Sequence, residues 1–268
     1  MSKISKLFKG IKMLLKKPYL INHIIEAEEE MRKQVFKKYS FEEGLPTLDI
    51  TQICGDEMLV EPIAFLDGSS LPTDFALLRG LAKKYKVEDY FEIGTWRGES
   101  VANLSDVVKN CTTLNIPDEE MREMGMSEDY INMHRFFSKD IPNVSHLMMN
   151  SEEISRENTG SFDMIFVDGD HHYDAVKRDT KKILEIRKNE NTIIVWHDYA
   201  IGPESVRWSV LRGILEALPK NMHQRLYHVS NTLCAVLLPD SYPKEYKVSN
   251  EKPKKYFALD IKVKNIKD

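Results

Sequence analysis

Short apolar runs alternate with amphipathic stretches over most of the chain. The runs are Tyr90–Ile93, Thr112–Ile116, Val144–Met149, Met164–Val167, Thr192–Trp196, Arg225–Val229 and Leu233–Leu238. Each is strand-sized, and between them lie helix candidates at Ser100–Lys109, Asp118–Gly125, Tyr173–Lys188 and Glu204–Leu218. A further helical segment, Phe75–Tyr85, precedes the first run, with Pro72 and Asp74 suited to its opening turn. Strands alternating with helices predict an α/β chain whose parallel sheet is covered on both faces. The last two runs are joined by too few residues for a helical crossover, so that pair is expected to be antiparallel.

Upstream, Ile4–Leu15 places apolar residues at three- and four-residue spacing with lysines between them, the pattern of a basic amphipathic helix that Pro18 ends or kinks. Ile21–Tyr39 is a second helical stretch, and Phe41–Ser70, rich in Gly, Pro and Asp, is connecting structure.

The first run feeds into Glu92-Ile93-Gly94-Thr95-Trp96-Arg97-Gly98-Glu99-Ser100, a strand followed by a two-glycine turn and a helix. Open α/β sheets bind ligands at such a place. Gly94 permits the sharp turn, and Gly98 is expected to let the backbone pass close to a ligand at the helix N-terminus, where free N–H groups favour an anion. The G-x-G-x-x-G dinucleotide pattern and the G-K-S/T phosphate loop are both missing.

The E-x-G-x-x-x-G turn resembles that of class I methyltransferases that use S-adenosylmethionine. The resemblance implies a doubly wound, Rossmann-like, seven-stranded sheet in the order 3-2-1-4-5-7-6, with the last strand antiparallel. It also implies that Gly94, Thr95 and Gly98 line the cofactor, that Glu92 lies near its methionine end and that Ser100 meets its carboxylate. Asn115 stands where the family carries an acid for the ribose hydroxyls; an amide can donate to one hydroxyl and accept from the other. Asn150 and Ser151 resemble the stretch after the third strand that contacts adenine, although a helix N-cap explains Ser151 equally well.

Two later strands end in polar groups. Phe162–Val167 delivers Asp168-Gly169-Asp170-His171-His172-Tyr173, and Thr192–Trp196 delivers His197-Asp198-Tyr199 to the same sheet edge. Two such ends facing one cleft suit a metal or acid/base site, and oxygen donors with one imidazole and no cysteine nearby favour Mg²⁺, Mn²⁺ or Ca²⁺, with Mg²⁺ first. The block resembles metal-assisted O-methyltransferases of sugars and other small molecules, which carry a D-G-x-H motif. By that resemblance Asp168 and Asp198 are metal ligands, His197 is a third, Asp168 also borders the cofactor, and His171 is the general base. Asp170 is either a supporting acid or a helix cap, and His172 a helix-start residue facing solvent. Tyr173 and Tyr199 are expected as pocket walls, Trp96 and Trp196 as cleft lining or packing, and Arg207 as a contact for an anionic acceptor.

Charge adds one contrast. The chain of 268 residues carries a net −4, yet its first 18 residues hold six lysines and no acid, leaving −10 on the remaining 250. An acidic body is the wrong sign for a protein that coats nucleic acid. The basic leader points to peripheral contact with an anionic membrane surface, such as the inner membrane, or to packing on its own domain or a twin subunit in a homodimer. The three cysteines, widely spaced, suggest a reducing compartment, and the leader lacks a signal-peptide apolar run, so a cytoplasmic protein is expected.

The expected organisation is a helical extension over 1–45, a methyltransferase domain over 46–240 and a tail over 241–268. The expected activity is O-methylation of a hydroxyl on a sugar, glycan or other small molecule, with S-adenosylmethionine and a divalent metal as cofactors. The rivals are a non-catalytic binding or scaffold protein of the same fold, and a dehydrogenase or metal-dependent hydrolase on a similar sheet.

Overall fold

The computed structural model describes residues 2–21, 28–246 and 252–266. Ten strands and ten helices are labelled in chain order: β1 (Thr47–Leu48), β2 (Asp89–Ile93), β3 (Asn110–Asn115), β4 (Val144–Met148), β5 (Met164–Val167), β6 (Ile193–Trp196), β7 (Ala200–Gly202), β8 (Ser205–Val206), β9 (Leu226–Val229) and β10 (Ala235–Leu237). The helices are α1 (Lys3–Lys16), α2 (Glu28–Tyr39), α3 (Thr51–Cys54), α4 (Pro72–Tyr85), α5 (Glu99–Leu104), α6 (Asp118–Glu123), α7 (Glu128–Met133), α8 (Arg156–Thr159), α9 (Tyr173–Glu185) and α10 (Trp208–Ala217).

The main sheet has eight strands in the order β1-β9-β10-β6-β5-β2-β3-β4. The seven expected runs supply β2 to β6, β9 and β10. The eighth, β1, corrects the count: Thr47 and Leu48 pair in parallel with His228 and Val229 at the edge. Two residues inside connecting structure carry no periodicity, so no pattern could announce them. β10 runs antiparallel to both β6 and β9, and the other pairings are parallel.

The central strands are apolar on both faces, as a sheet covered on each side requires. Phe91, Ile93, Ile165, Val167, Ile194 and Trp196 join one core with α2, α9 and α10. Tyr90, Met164, Phe166, Ile193 and Val195 face the other, with α3, α4 and α5. The expected helix over 204–218 is shorter than the pattern suggested. Ser205–Val206 instead pairs with Ala200–Gly202 in a small hairpin, and α10 begins at Trp208.

Of the Ile21–Tyr39 stretch, residues 22–27 lie outside the described residues. The rest forms α2, which buries Met31 and Val35, and Glu28 reaches the start of α10, where it accepts from Ser209 Oγ at 2.9 Å and from the Trp208 N–H. No helix among the described residues is long and apolar enough to cross a membrane.

Candidate active site

Sheet topology brings the two signals together. β2 lies between β3 and β5, so the chain leaves the two sides of β2 in opposite directions and opens a crevice at the strand ends. The Asp168 N–H donates to Ile93 O at 2.9 Å, and the His197 N–H donates to Val167 O at 3.0 Å. The glycine turn, the D-G-D-H-H block and the H-D-Y block therefore stand side by side.

The glycine turn is tightly packed. At Gly94 (φ 97°) a Cβ would stand 2.0 Å from the Asp168 carbonyl oxygen, so only glycine lets the turn lie against β5. Gly98 (φ 78°) departs from expectation: its close neighbour is Ser138, whose Oγ a Cβ would meet at 2.2 Å. The segment after α7 lies over the turn, with Arg135 N–H donating to Trp96 O and Phe137 N–H to Arg97 O.

Glu92 is completely buried. Its carboxylate accepts from Tyr90, Ser100 and Thr113 hydroxyls, each at 2.8 Å. Burial pushes its pKa up to about 7 against the pull of those three donors. The Ser100 hydroxyl proton is thus donated to Glu92, so the side chain braces the wall of the turn. Thr95 is engaged in the same network. Its buried hydroxyl is held by Thr113, so with Thr113 already donating to Glu92 the chain of protons runs Thr95 to Thr113 to Glu92.

Asn115, at the end of β3, keeps a buried Nδ2 with no hydrogen-bond partner. A buried amide donor without an acceptor is costly, and a ribose hydroxyl would satisfy it. Ser138, which no sequence signal marked, likewise brings a buried, unpartnered Oγ against Gly98. Asn150 and Ser151 are different. Asn150 caps the turn Ser151–Glu153, accepting from Glu152 N–H at 3.0 Å, and Ser151 Oγ donates to Asp179 of α9 at 2.7 Å. Their side chains serve local structure.

At the neighbouring strand ends His197 is the hub. Its Nδ1 lies 3.1 Å from Asp168 and 3.4 Å from Asp198, and its Nε2 lies 3.2 Å from Asp74. Burial by itself would push the imidazole pKa down, but the three carboxylates outweigh it and hold it well above the usual value. Asp168 is pushed up by burial despite His197, whereas His197, Arg207 and His171 overcome burial at Asp198 and hold it down. Asp198 also has φ 57°, a left-handed backbone that a non-glycine residue adopts at a cost.

This donor set fits a divalent cation. One donor atom each from Asp168, His197 and Asp198 lies within 4.8 Å of the others. Nδ1 of His197 is buried and makes no hydrogen bond of acceptable geometry with either carboxylate, while Asp74 orients the ring from Nε2. A carboxylate behind a ligating histidine is the usual way such a ring is fixed.

Asp74 was expected only as a first-turn acid of α4, and it does accept from Leu71 N–H at 2.8 Å. It also accepts from Leu233 N–H at 2.8 Å and lies 3.6 Å from the Cys234 thiol. That corrects the expectation that no cysteine is nearby. Asp74, His197 and Cys234 form a second three-donor group, but burial holds the thiol proton firmly and Asp74 is already engaged by two backbone N–H groups.

His171 stands at the rim, Nδ1 3.9 Å from Asp198 and about half exposed. His172 stacks on it and pairs with Asp170, which also accepts from the His172 N–H at 2.9 Å, so Asp170 shapes the turn into α9. Arg207 is corrected: it lies 3.2 Å from Asp198 rather than reaching outward for an acceptor. Tyr173 hydrogen-bonds Glu216 beside Lys177, and Tyr199 is buried and accepts from Leu45 N–H at 2.9 Å, so neither walls the site. Trp196 is core, donating to Thr180 at 2.9 Å, and Trp96 packs on Tyr130 and His134.

Residues 91–199 match the family described as a methyltransferase domain. That segment holds the glycine turn and every acid and histidine of the cluster except Asp74. No curated protein matches. Among solved structures, the chain is similar to an O-methyltransferase from Bacillus cereus in complex with SAH, at 15% identity over 65% of this chain and 84% of that one, with a TM-score of 0.44. It is also similar to the SAH-bound Podospora anserina methyltransferase PaMTH1 (19%, 65% and 81%, TM-score 0.43). A third is the O-methyltransferase TomG from Streptomyces achromogenes in complex with SAM (16%, 64% and 82%, TM-score 0.41). Likeness at this level says nothing of what this chain acts on.

Proposed function

We propose that the protein transfers a methyl group from S-adenosylmethionine to a hydroxyl oxygen of a sugar, glycan or other small molecule, with a divalent cation held by Asp168, His197 and Asp198. The observation that carries this reading is the buried Nδ1 of His197, unbonded between two carboxylates at the same sheet edge as the glycine turn. A dehydrogenase leaves that cluster without a task. A scaffold has no use for a strained Asp198 beside an exposed histidine.

In this reading the cofactor lies along the turn, with Asn115 Nδ2 donating to a ribose hydroxyl and Glu92 forming part of the wall. Because a sulfonium carries its own leaving group, the protein has to align the acceptor oxygen and raise its nucleophilicity. The cation, when bound, supplies a Lewis acid that lowers the hydroxyl pKa. With His171 Nδ1 turned towards Asp198, its Nε2 is the atom that takes the hydroxyl proton. The carbon–sulfur bond breaks as the carbon–oxygen bond forms, leaving a methyl ether and S-adenosylhomocysteine.

The test is calorimetry with S-adenosylmethionine, S-adenosylhomocysteine and NAD, followed by a mass-shift screen of hydroxylated acceptors with and without EDTA. Binding of both sulfur nucleotides and an EDTA-sensitive gain of one methyl group are expected. Failure to bind either sulfur nucleotide at millimolar concentration overturns the methyltransferase reading, and EDTA-insensitive turnover overturns the metal.

A further inference from the structure

The leader helix α1 has no part in the site, and no residue of it is buried. Ile4, Leu7, Phe8, Ile11 and Leu15 are between 45% and 79% exposed, far more than a helix docked on its own domain would leave. At about 100° per residue these five and Leu14 fall within an arc of roughly 120°. All six lysines of the leader lie outside that arc, with Lys3 and Lys12 bordering it on either side.

The lysines decide what the stripe fits. Lys3 and Lys6 sit in the first turns, where the helix dipole is positive, and no acid stands there to offset it. Nor does the helix hold any acid to pair with its lysines, so two copies laid stripe to stripe would bring like charges together along both borders. A flat anionic surface with an apolar interior removes both conflicts: the stripe enters the acyl boundary while the long lysine stems carry their ammonium groups up to the phosphates. The rest of the chain carries a net −10, so the body gives such a surface no overall attraction, whereas α1 joins a continuous apolar stripe to lysines that no acid offsets.

We infer that α1 is an in-plane anchor that binds the protein to anionic lipid bilayers. It lies on the membrane and does not span it, because 14 residues alternating with lysine cannot cross the hydrocarbon core.

The experiment is co-sedimentation of the full chain with vesicles of phosphatidylcholine alone or with about 30% phosphatidylglycerol, where basic segments respond to surface charge. At least tenfold more protein is expected on the anionic vesicles, with release as salt rises towards about 0.5 M. Leu7→Asp combined with Phe8→Asp should abolish binding, and Lys6→Gln, Lys9→Gln and Lys12→Gln together should weaken it about tenfold. Melting temperature and methyl transfer to a soluble acceptor should be unchanged in both variants, so failure of the anchor is distinguishable from failure of the catalytic reading. Equal partition onto both vesicle types, or undiminished binding by the Leu7→Asp Phe8→Asp variant, overturns the inference. So does a dimer in sedimentation velocity that this variant converts to monomer, which would give the stripe to a second copy.

Discussion

Glu92 and His197 are both buried titratable groups at the same edge of the sheet, two strands apart, yet their surroundings differ in kind. Glu92 is surrounded by hydroxyl donors that belong to its own wall, and the proton chain from Thr95 through Thr113 ends on it. His197 is surrounded by acceptors, three carboxylates converging on one imidazole whose Nδ1 is left without a proper bond. A group satisfied from within builds the site. A group left unsatisfied is where a ligand adds free energy, because unpaired buried polar atoms are costly until something pairs them.

The sharpest way to break this contrast is on the acceptor-rich side. Asp168→Ala with Asp198→Ala should lower methyl transfer at least ~1,000-fold, while S-adenosylhomocysteine affinity by calorimetry stays within a few-fold. Parallel loss of cofactor binding would show that the two halves are not separable. His171→Ala should cost about 100- to 1,000-fold in kcat with the S-adenosylmethionine KM little changed, with His172→Ala as a neighbouring control that leaves both intact.

Glu92 tests the other side through stability. Its pKa is raised from 4.5 to about 7 by burial, so between those pH values the unfolded chain releases a proton that the folded chain keeps. The contribution of neutral Glu92 to stability is complete below pH 4.5, declines as pH rises towards 7 and is level beyond. Denaturant titrations should show Glu92→Gln losing up to about 3 kcal/mol less than the parent across that window. A parallel decline in both proteins would mean that Glu92 is ionised throughout.

Smaller effects sharpen the picture. Asp74→Asn should weaken Mn²⁺ binding, followed by paramagnetic resonance, about 10- to 100-fold, because the amide no longer fixes the ring of His197. Asn115→Ala should raise the Kd for S-adenosylhomocysteine about five- to tenfold, the worth of one buried hydrogen bond. An unchanged Kd would leave the Asn115 amide without its assigned partner.

Legibility followed residue spacing. The runs that became β5, β6 and β10 are visible because every residue of each is buried and apolar, while β2, β3, β4 and β9 keep enough apolar residues in a short run to be read among their polar ones. β1 and the β7–β8 hairpin were not visible, since two- or three-residue strands have no period. Within the site, Asp168, His197 and Asp198 stood out as polar groups ending apolar strands. Asp74 was hidden behind a sufficient local explanation, the first turn of α4, and Ser138 behind none at all. For Thr95, Ser100, Asn150 and Ser151 the sequence shows hydroxyls and amides near a turn but not the neighbours that hold them, Thr113, Glu92, Glu152 and Asp179.

The sequence by itself determined the alternation of strand and helix, the glycine turn, the polar strand ends and the lysine-bordered stripe of α1. These follow from periodicity, from the conformational needs of glycine and from charge, all carried by residues close together in the chain. Only the tertiary structure decided which polar groups are spent and which are free. Asp74 meets His197 across 123 positions, and Thr113 meets Glu92 across the β2–β3 pairing. Hydrogen bonds in a buried site saturate at short range, so whether an atom remains available to a ligand depends on partners that only the folded sheet brings within reach.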